Sequence, residues 1–399
     1  MGPVSERGEC GGWSQWNIQL YVEARGTEYD DGPAARFTPM APPRHGRRVN
    51  VRRRRFVAVL ALILIVLLVV ATTRGQGPTT STTSSTTATT ATSSTTTTRA
   101  TTPHAPFAVG AVTFTVSEPA SGSTGARTFP VTVRYPAVGA PGTARLGLVP
   151  LRDAGPFPLL IFSQGFDISP EAYAGLLDAW SAAGYVVADP AYPYTSPNAT
   201  GGVIRSDIVH HPHDLSFLIT TLIADSAQAG NALGGLVDTH EIGVVGQSDG
   251  GDVSLAAVAN SCCRDARIGA AVILSGAELS WFPGTYFTSG STPLLVVQGT
   301  NDLTMNPVTC SVTLYNEAPA PKYYLAMIGQ THLSAYVPAG PARNVVAAAS
   351  IDFFNAYLRH APGALAAMRA AGTRPGLATI TSASKVPLVA GTCPDAPLG

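Results

Sequence analysis

The sequence predicts an α/β domain: a mostly parallel sheet with helices on both faces. Two observations carry this reading. Short β-branched apolar runs alternate with helical stretches through residues 105–373, the pattern of a sheet covered on both sides. The chain has 399 residues, enough for one large domain of this kind plus further segments.

In chain order, strands are expected at residues 111–116 and 129–135, this first pair antiparallel. Further strands follow at 158–163, 185–189, 242–246, 270–275, 293–298 and 322–328, which makes eight. Helices are expected at 170–183, 213–226, 249–261, 308–318 and 342–359. Residues 374–399 are rich in Pro, Gly, Ala and Thr and read as a C-terminal tail.

Three segments precede this domain. Residues 1–55 show neither helical nor strand periodicity and end in a basic cluster, Arg44, Arg47, Arg48 and Arg52 to Arg55. Residues 56–73 begin with the uninterrupted apolar run FVAVLALILIVLLVVA. That run is slightly short of the roughly 20 residues that span a bilayer, so both a signal anchor and a cleaved signal peptide remain open. Arginines on its N-terminal side predict a cytoplasmic leader and an exported remainder in either case. Met40 is an alternative start that leaves a short basic region ahead of the run. Residues 74–104 are dominated by Thr and Ser, have nothing to bury, and read as a flexible stalk. The expected location is the cell membrane with an extracytoplasmic domain, or outside the cell if the leader is removed.

Composition excludes some partners. Net charge is zero and only 13% of residues are charged, which speaks against a nucleic-acid partner. Of five cysteines, Cys10 precedes the apolar run and Cys262, Cys263, Cys310 and Cys393 follow it. A direct Cys262–Cys263 bridge is expected to be strained, which favours a bond to Cys393 from one of these two or from Cys310. Free buried thiols are the alternative. No cysteine spacing reads as a zinc site. The His210-His211-Pro212-His213 cluster lacks carboxylate or cysteine companions at ligand spacing and reads as first-turn or surface residues, so no metal and no cofactor are expected. Asn198-Ala199-Thr200 matches a glycosylation acceptor, which matters only on a eukaryotic secretory path.

The chemistry is carried by IGVVGQSDGG, which sets Gly246-Gln247-Ser248-Asp249-Gly250 between a strand and a helix. That is the setting of a G-x-S-x-G nucleophile elbow. A serine on a tight turn needs small neighbours for strand and helix to approach, and the helix N-terminus favours developing negative charge. An acid and a histidine should follow in that order. Asp302, in VVQGTND, and His332, in GQTH, each stand on a loop just past a strand. His332 would take the serine proton, and Asp302 would fix its tautomer and stabilise the imidazolium. Glu278, past the preceding strand, is the rival acid, and Asp302 has the alternative of capping the next helix. The other late histidine, His360, lies at a helix end. Main-chain N–H groups of Phe166 and Asp249 are the expected oxyanion donors. The Asp249 carboxylate is expected to point away from them, toward the helix dipole.

The segment PFPLLIFSQGFDISPEAYAGLLDAWSAAGYVVADPAYP resembles the oxyanion strand and following helix of platelet-activating-factor acetylhydrolase and dienelactone-hydrolase-like proteins. These are similar in fold to chlorophyllases and cutinase-type polyester hydrolases. The resemblance covers about residues 105–360 and implies an α/β-hydrolase fold. GQSDGG, VVQGTND and GQTH occupy its elbow, acid and histidine positions. Gln164 and Gln298 depart from it, standing where relatives often carry histidine. Dienelactone hydrolases proper use cysteine, so the serine points to esters more generally.

Many relatives insert a lid between the strands at 270–275 and 293–298; the short connection here predicts none, and an open site. Its aromatics Trp281, Phe282, Tyr286 and Phe287 are candidates for an acyl pocket, with Phe166 and Tyr194 opposite; loop packing is the alternative. The expected activity is hydrolysis of a small-molecule, lipid or polymeric ester by a monomeric catalytic domain. Acyl transfer to a surface lipid or glycan and a non-catalytic binding module are the competing readings.

Overall fold

The computed structural model of the protein describes residues 105–393, apart from 122, 123 and 304. The basic leader, the apolar run and the Thr/Ser stretch lie outside the described residues, so the expectations placed on them concern parts of the chain not described. No helix among the described residues is long and apolar enough to cross a membrane.

Ten strands form one sheet: β1 (Ala108–Glu118), β2 (Arg127–Ala137), β3 (Arg145–Leu146), β4 (Phe157–Ser163), β5 (Val186–Pro190), β6 (Val237–Gln247), β7 (Ile268–Leu274), β8 (Leu294–Gly299), β9 (Lys322–Met327) and β10 (Ala378–Thr381). Their order is β10-β9-β8-β7-β6-β4-β5-β2-β1-β3. The stretch from β9 to β5 is parallel throughout, and β2, β1 and β10 join antiparallel. Among the described residues six helices flank the sheet: α1 (Ala174–Ala182), α2 (His211–Ser226), α3 (Asp249–Ala259), α4 (Val308–Glu317), α5 (Pro341–Tyr357) and α6 (Ala364–Gly372).

Burial on both faces explains why the central strands are apolar at successive positions. Ile161, Val244 and Val296 face one core with side chains of α2, α3 and α4. Their neighbours Phe162, Val245 and Val297 face the other, with α1, α5 and α6. This is the α/β-hydrolase architecture. Each expected strand and helix is present with shifted ends, and the sheet has two strands beyond the eight expected. Both additions are short: β3 has 2 residues and β10 has 4.

The segment after residue 373 is structured as far as it is described. β10 pairs with β9, Val386 N–H donates to Asn316 Oδ1 at 2.8 Å, and Cys393 is bonded to Cys310 on α4. The second disulfide joins Cys262 to Cys263, against the expectation that neighbouring cysteines stay unbridged. The chain turns tightly after α3. Cys262 N–H donates to Asn260 Oδ1 and Cys263 N–H to Asn260 O, and the two thiols meet on that turn.

Candidate active site

β6 ends at Gln247 and α3 begins at Asp249, so Ser248 stands alone on the turn between them. Its backbone lies at φ 57° and ψ −127°, a region that costs a non-glycine residue energy and that the surrounding packing must hold. The flanking glycines permit that packing. A Cβ at Gly246 would stand 1.8 Å from the Gly250 carbonyl oxygen, and one at Gly250 2.0 Å from that of Ser163. Strand, turn and helix therefore close on each other without side chains between them.

The structure brings Ser248, His332 and Asp302 into one hydrogen-bonded line. His332 Nδ1 lies 2.7 Å from Asp302 Oδ2, and His332 Nε2 lies 2.8 Å from Ser248 Oγ. A carboxylate only accepts, so Nδ1 carries the proton and Nε2 presents a lone pair to the serine hydroxyl. Asp302 and His332 are buried, while Ser248 is partly open to solvent. Glu278 is not in this line: it is buried with Oε1 lacking any partner, and burial followed by repulsion from Glu317 pushes its carboxyl up to about 8. His360 sits beside Glu241, in the N-terminal half of β6, whereas Ser248 follows that strand's C-terminal end.

Three further side chains, Gln247 and Gln298 from within the motif segments and Asn306 from outside them, hold this line in place. Gln298 Nε2 donates to Asp302 Oδ2 at 3.2 Å and to Asn306 O at 3.1 Å. Asn306 N–H donates to Asp302 Oδ1, and its side-chain amide to Ser275 O. Gln247, fully buried, donates through Nε2 to His332 O at 3.1 Å. Its Oε1 accepts from Tyr173 OH at 2.7 Å, and burial raises the Tyr173 phenol so that it stays a donor. That bond fixes which end of the Gln247 amide faces the histidine.

The loop after β4 lies against the nucleophile. A Cβ at Gly165 would stand 2.8 Å from Gln247 Oε1 and 3.3 Å from Ser248 Cβ, so a glycine there lets the loop pack close against the turn. Neither Phe166 nor Asp249 N–H has a main-chain acceptor outside its own element, which leaves both able to donate to a ligand oxygen. The Asp249 carboxylate, expected to interact with the helix dipole, is paired with a cation. Arg205 Nε lies 2.9 Å from Asp249 Oδ2, and Arg205 Nη2 lies 2.9 Å from Oδ1.

The pocket candidates divide. Tyr194 is exposed and Trp281 is partly buried against the core, each under an arginine: Arg127 lies 5.8 Å from the Tyr194 ring centre, and Arg205 lies 5.0 Å from that of Trp281. Phe282 lies within the core, and Tyr286, partly buried against it, has its OH bonded to the Leu279 main chain. The cause is the path of the β7–β8 connection, which runs back along α3. Phe287 N–H donates to Ala259 O, and Ser261 N–H to Thr285 O, at the end of that helix remote from Ser248. This connection contains no helix or strand, so no lid domain is inserted there.

The histidine cluster is absorbed by packing. His211 stacks on Tyr192 with ring centres 4.0 Å apart, and His213 pairs with Glu118 at 2.5 Å. Among the described residues no group of His, Cys, Asp or Glu converges as a metal set.

Fold, elbow and hydrogen-bonded line together place the chain among proteins of the α/β-hydrolase fold. No protein-family model matches it, and no curated protein does. Among solved structures it is similar to a ferulic acid esterase from Streptomyces cinnamoneus, with 20% identity and a TM-score of 0.48 over 65% of this chain and 93% of that one.

Proposed function

We propose that the protein is an exported serine hydrolase that cleaves carboxylic esters through an acyl-enzyme. The observation that carries this is the line Ser248 Oγ, His332 Nε2, His332 Nδ1, Asp302 Oδ2, with links of 2.8 and 2.7 Å. In the first half-reaction Ser248 Oγ bonds to the ester carbonyl carbon as its proton passes to His332 Nε2. The carbonyl oxygen becomes an oxyanion facing the Phe166 and Asp249 N–H groups. On collapse the alcohol oxygen leaves, taking the proton from His332. Water then repeats the sequence on the acyl-Ser248 ester, releasing the carboxylic acid and restoring the hydroxyl.

The finer assignment is to the platelet-activating-factor acetylhydrolase, dienelactone-hydrolase-like and cutinase-type group, acting on lipid or polymeric esters. It is supported by GQSDGG, VVQGTND and GQTH, and by the absence of a lid domain between β7 and β8. Export is supported by the arginine cluster ahead of the apolar run at residues 56–71.

A panel of p-nitrophenyl esters of increasing acyl length tests the activity and ranks the substrates. Turnover that disappears in Ser248→Ala, with fluorophosphonate labelling of Ser248 in the wild type, is the expected result. Absence of both turnover and label in folded wild-type protein would sink the reading. Product analysis with an added alcohol separates hydrolysis from acyl transfer.

A further inference from the structure

Asp249 has two properties in conflict. Its N–H is one of the two oxyanion donors proposed above, and its side chain is a carboxylate on the same residue. That carboxylate is buried, with 9% of the side chain exposed, so water does little to screen it. Left alone it would oppose the oxyanion that its own N–H is placed to receive.

Arg205 answers this charge directly. It opens the short 3₁₀ segment Arg205–His210 on the connection from β5 to α2, 44 residues from Asp249 in sequence. Its Nε and Nη2 each take one carboxylate oxygen at 2.9 Å, the fork geometry that a planar guanidinium provides and an ammonium does not. Trp281, from the connection after β7, lies against the guanidinium with its ring centre 5.0 Å away. Three separate segments thus meet at one cation beside the nucleophile.

We propose that Arg205 is a charge-balancing residue of this active site: it cancels the Asp249 carboxylate next to the oxyanion donors, and Trp281 holds its guanidinium there. This rests on the hydrolase reading above. Arg205 acts through Asp249 rather than on substrate, so it is a positioning residue. A neutral pair presents a dipole whose field dies away faster with distance than that of a lone carboxylate. Unpairing a unit charge several ångströms from a developing oxyanion in a partly buried site corresponds to a rate loss of about 10- to 100-fold.

The test is steady-state hydrolysis of p-nitrophenyl butyrate by the full chain as wild type, Arg205→Gln, Asp249→Asn and the double variant. Thermal unfolding and fluorophosphonate labelling are followed on each. Arg205→Gln is expected to lower kcat about 10- to 100-fold with KM within about threefold, and to regain part of the loss as salt rises. In the Asp249→Asn background the same substitution is expected to change kcat by less than about threefold. Arg205→Lys keeps the charge and is expected to lose less than Arg205→Gln, which keeps the proposal testable if the glutamine variant folds poorly. Equal losses in both backgrounds make Arg205 a tether and overturn the proposal. A loss carried by KM makes it a substrate ligand and overturns it equally. A folded wild type that neither turns over nor takes the label overturns the hydrolase reading, and this proposal with it. A working wild type with equal losses overturns the proposal alone.

Discussion

Gln298 and His332 share one oxygen of Asp302, so the amide sets where the carboxylate sits before the histidine meets it. Charge-assisted hydrogen bonds of this kind contribute about 1.5–3 kcal/mol. Gln298→Leu removes the donor and keeps the bulk. It is expected to lower kcat/KM about 10-fold or more, mainly through kcat, in p-nitrophenyl ester assays. An unchanged kcat would remove Gln298 from the positioning of the acid. Gly250→Ala is a harsher change, because its Cβ would fall 2.0 Å from the Ser163 oxygen and neither backbone can yield. A loss of about 3 kcal/mol in urea unfolding is expected, whereas Gly125→Ala, with open space around it, should be nearly silent. At this scale the sequence was legible where chemistry is local. The elbow is five consecutive residues, and Asp302 and His332 each follow a recognisable strand. Arg205 was not legible, because a pairing 44 residues away leaves no periodic mark.

Among elements, the parallel strands were readable because burial on two faces leaves continuous apolar runs, as in the fully buried β4 and β8. The β7–β8 connection was left open between pocket and packing for the same underlying reason. Aromatic content says that a segment is buried, not against what, and here Phe282 and Tyr286 cover the flank of α3. β10 escaped notice because ATIT is short and lies in Pro- and Gly-rich sequence that resembles a tail. That segment is closed onto α4 by Cys310–Cys393, across a sequence separation of 83. Loops of this order stabilise by about 2–5 kcal/mol when bridged. Cys393→Ser is expected to lower the unfolding free energy by an amount in that range. Ester hydrolysis at temperatures well below the transition should stay within about twofold, since the bridge lies outside the Ser248 line. An unfolding free energy equal to the wild type's would show that β10 and the Asn316–Val386 bonds hold the segment unaided.

For the whole molecule, the buried carboxyl of Glu278 links stability to pH. Burial, with Glu317 adding repulsion, moves it from 4.5 up to about 8, and its Oε1 has no partner to stabilise the ionised form. The native state therefore keeps a proton that the unfolded chain has already released. Below about pH 4.5 both states are protonated and the group contributes no pH dependence. Between 4.5 and about 8 the native state binds more protons than the unfolded chain, so stability falls as pH rises, and above about 8 the full penalty remains. Glu278→Gln keeps the shape and removes the titration. Urea unfolding of wild type and variant is expected to give equal stabilities near pH 4 and a gap opening toward pH 8.5, with the variant ahead by on the order of 3 kcal/mol. A gap that stays constant across this range would mean that Glu278 ionises freely in the folded protein. Because Glu278 stands outside the hydrogen-bonded line, the pH dependence of stability and that of turnover should separate: the variant shifts the first and leaves the shape of the kcat profile as it is in the wild type.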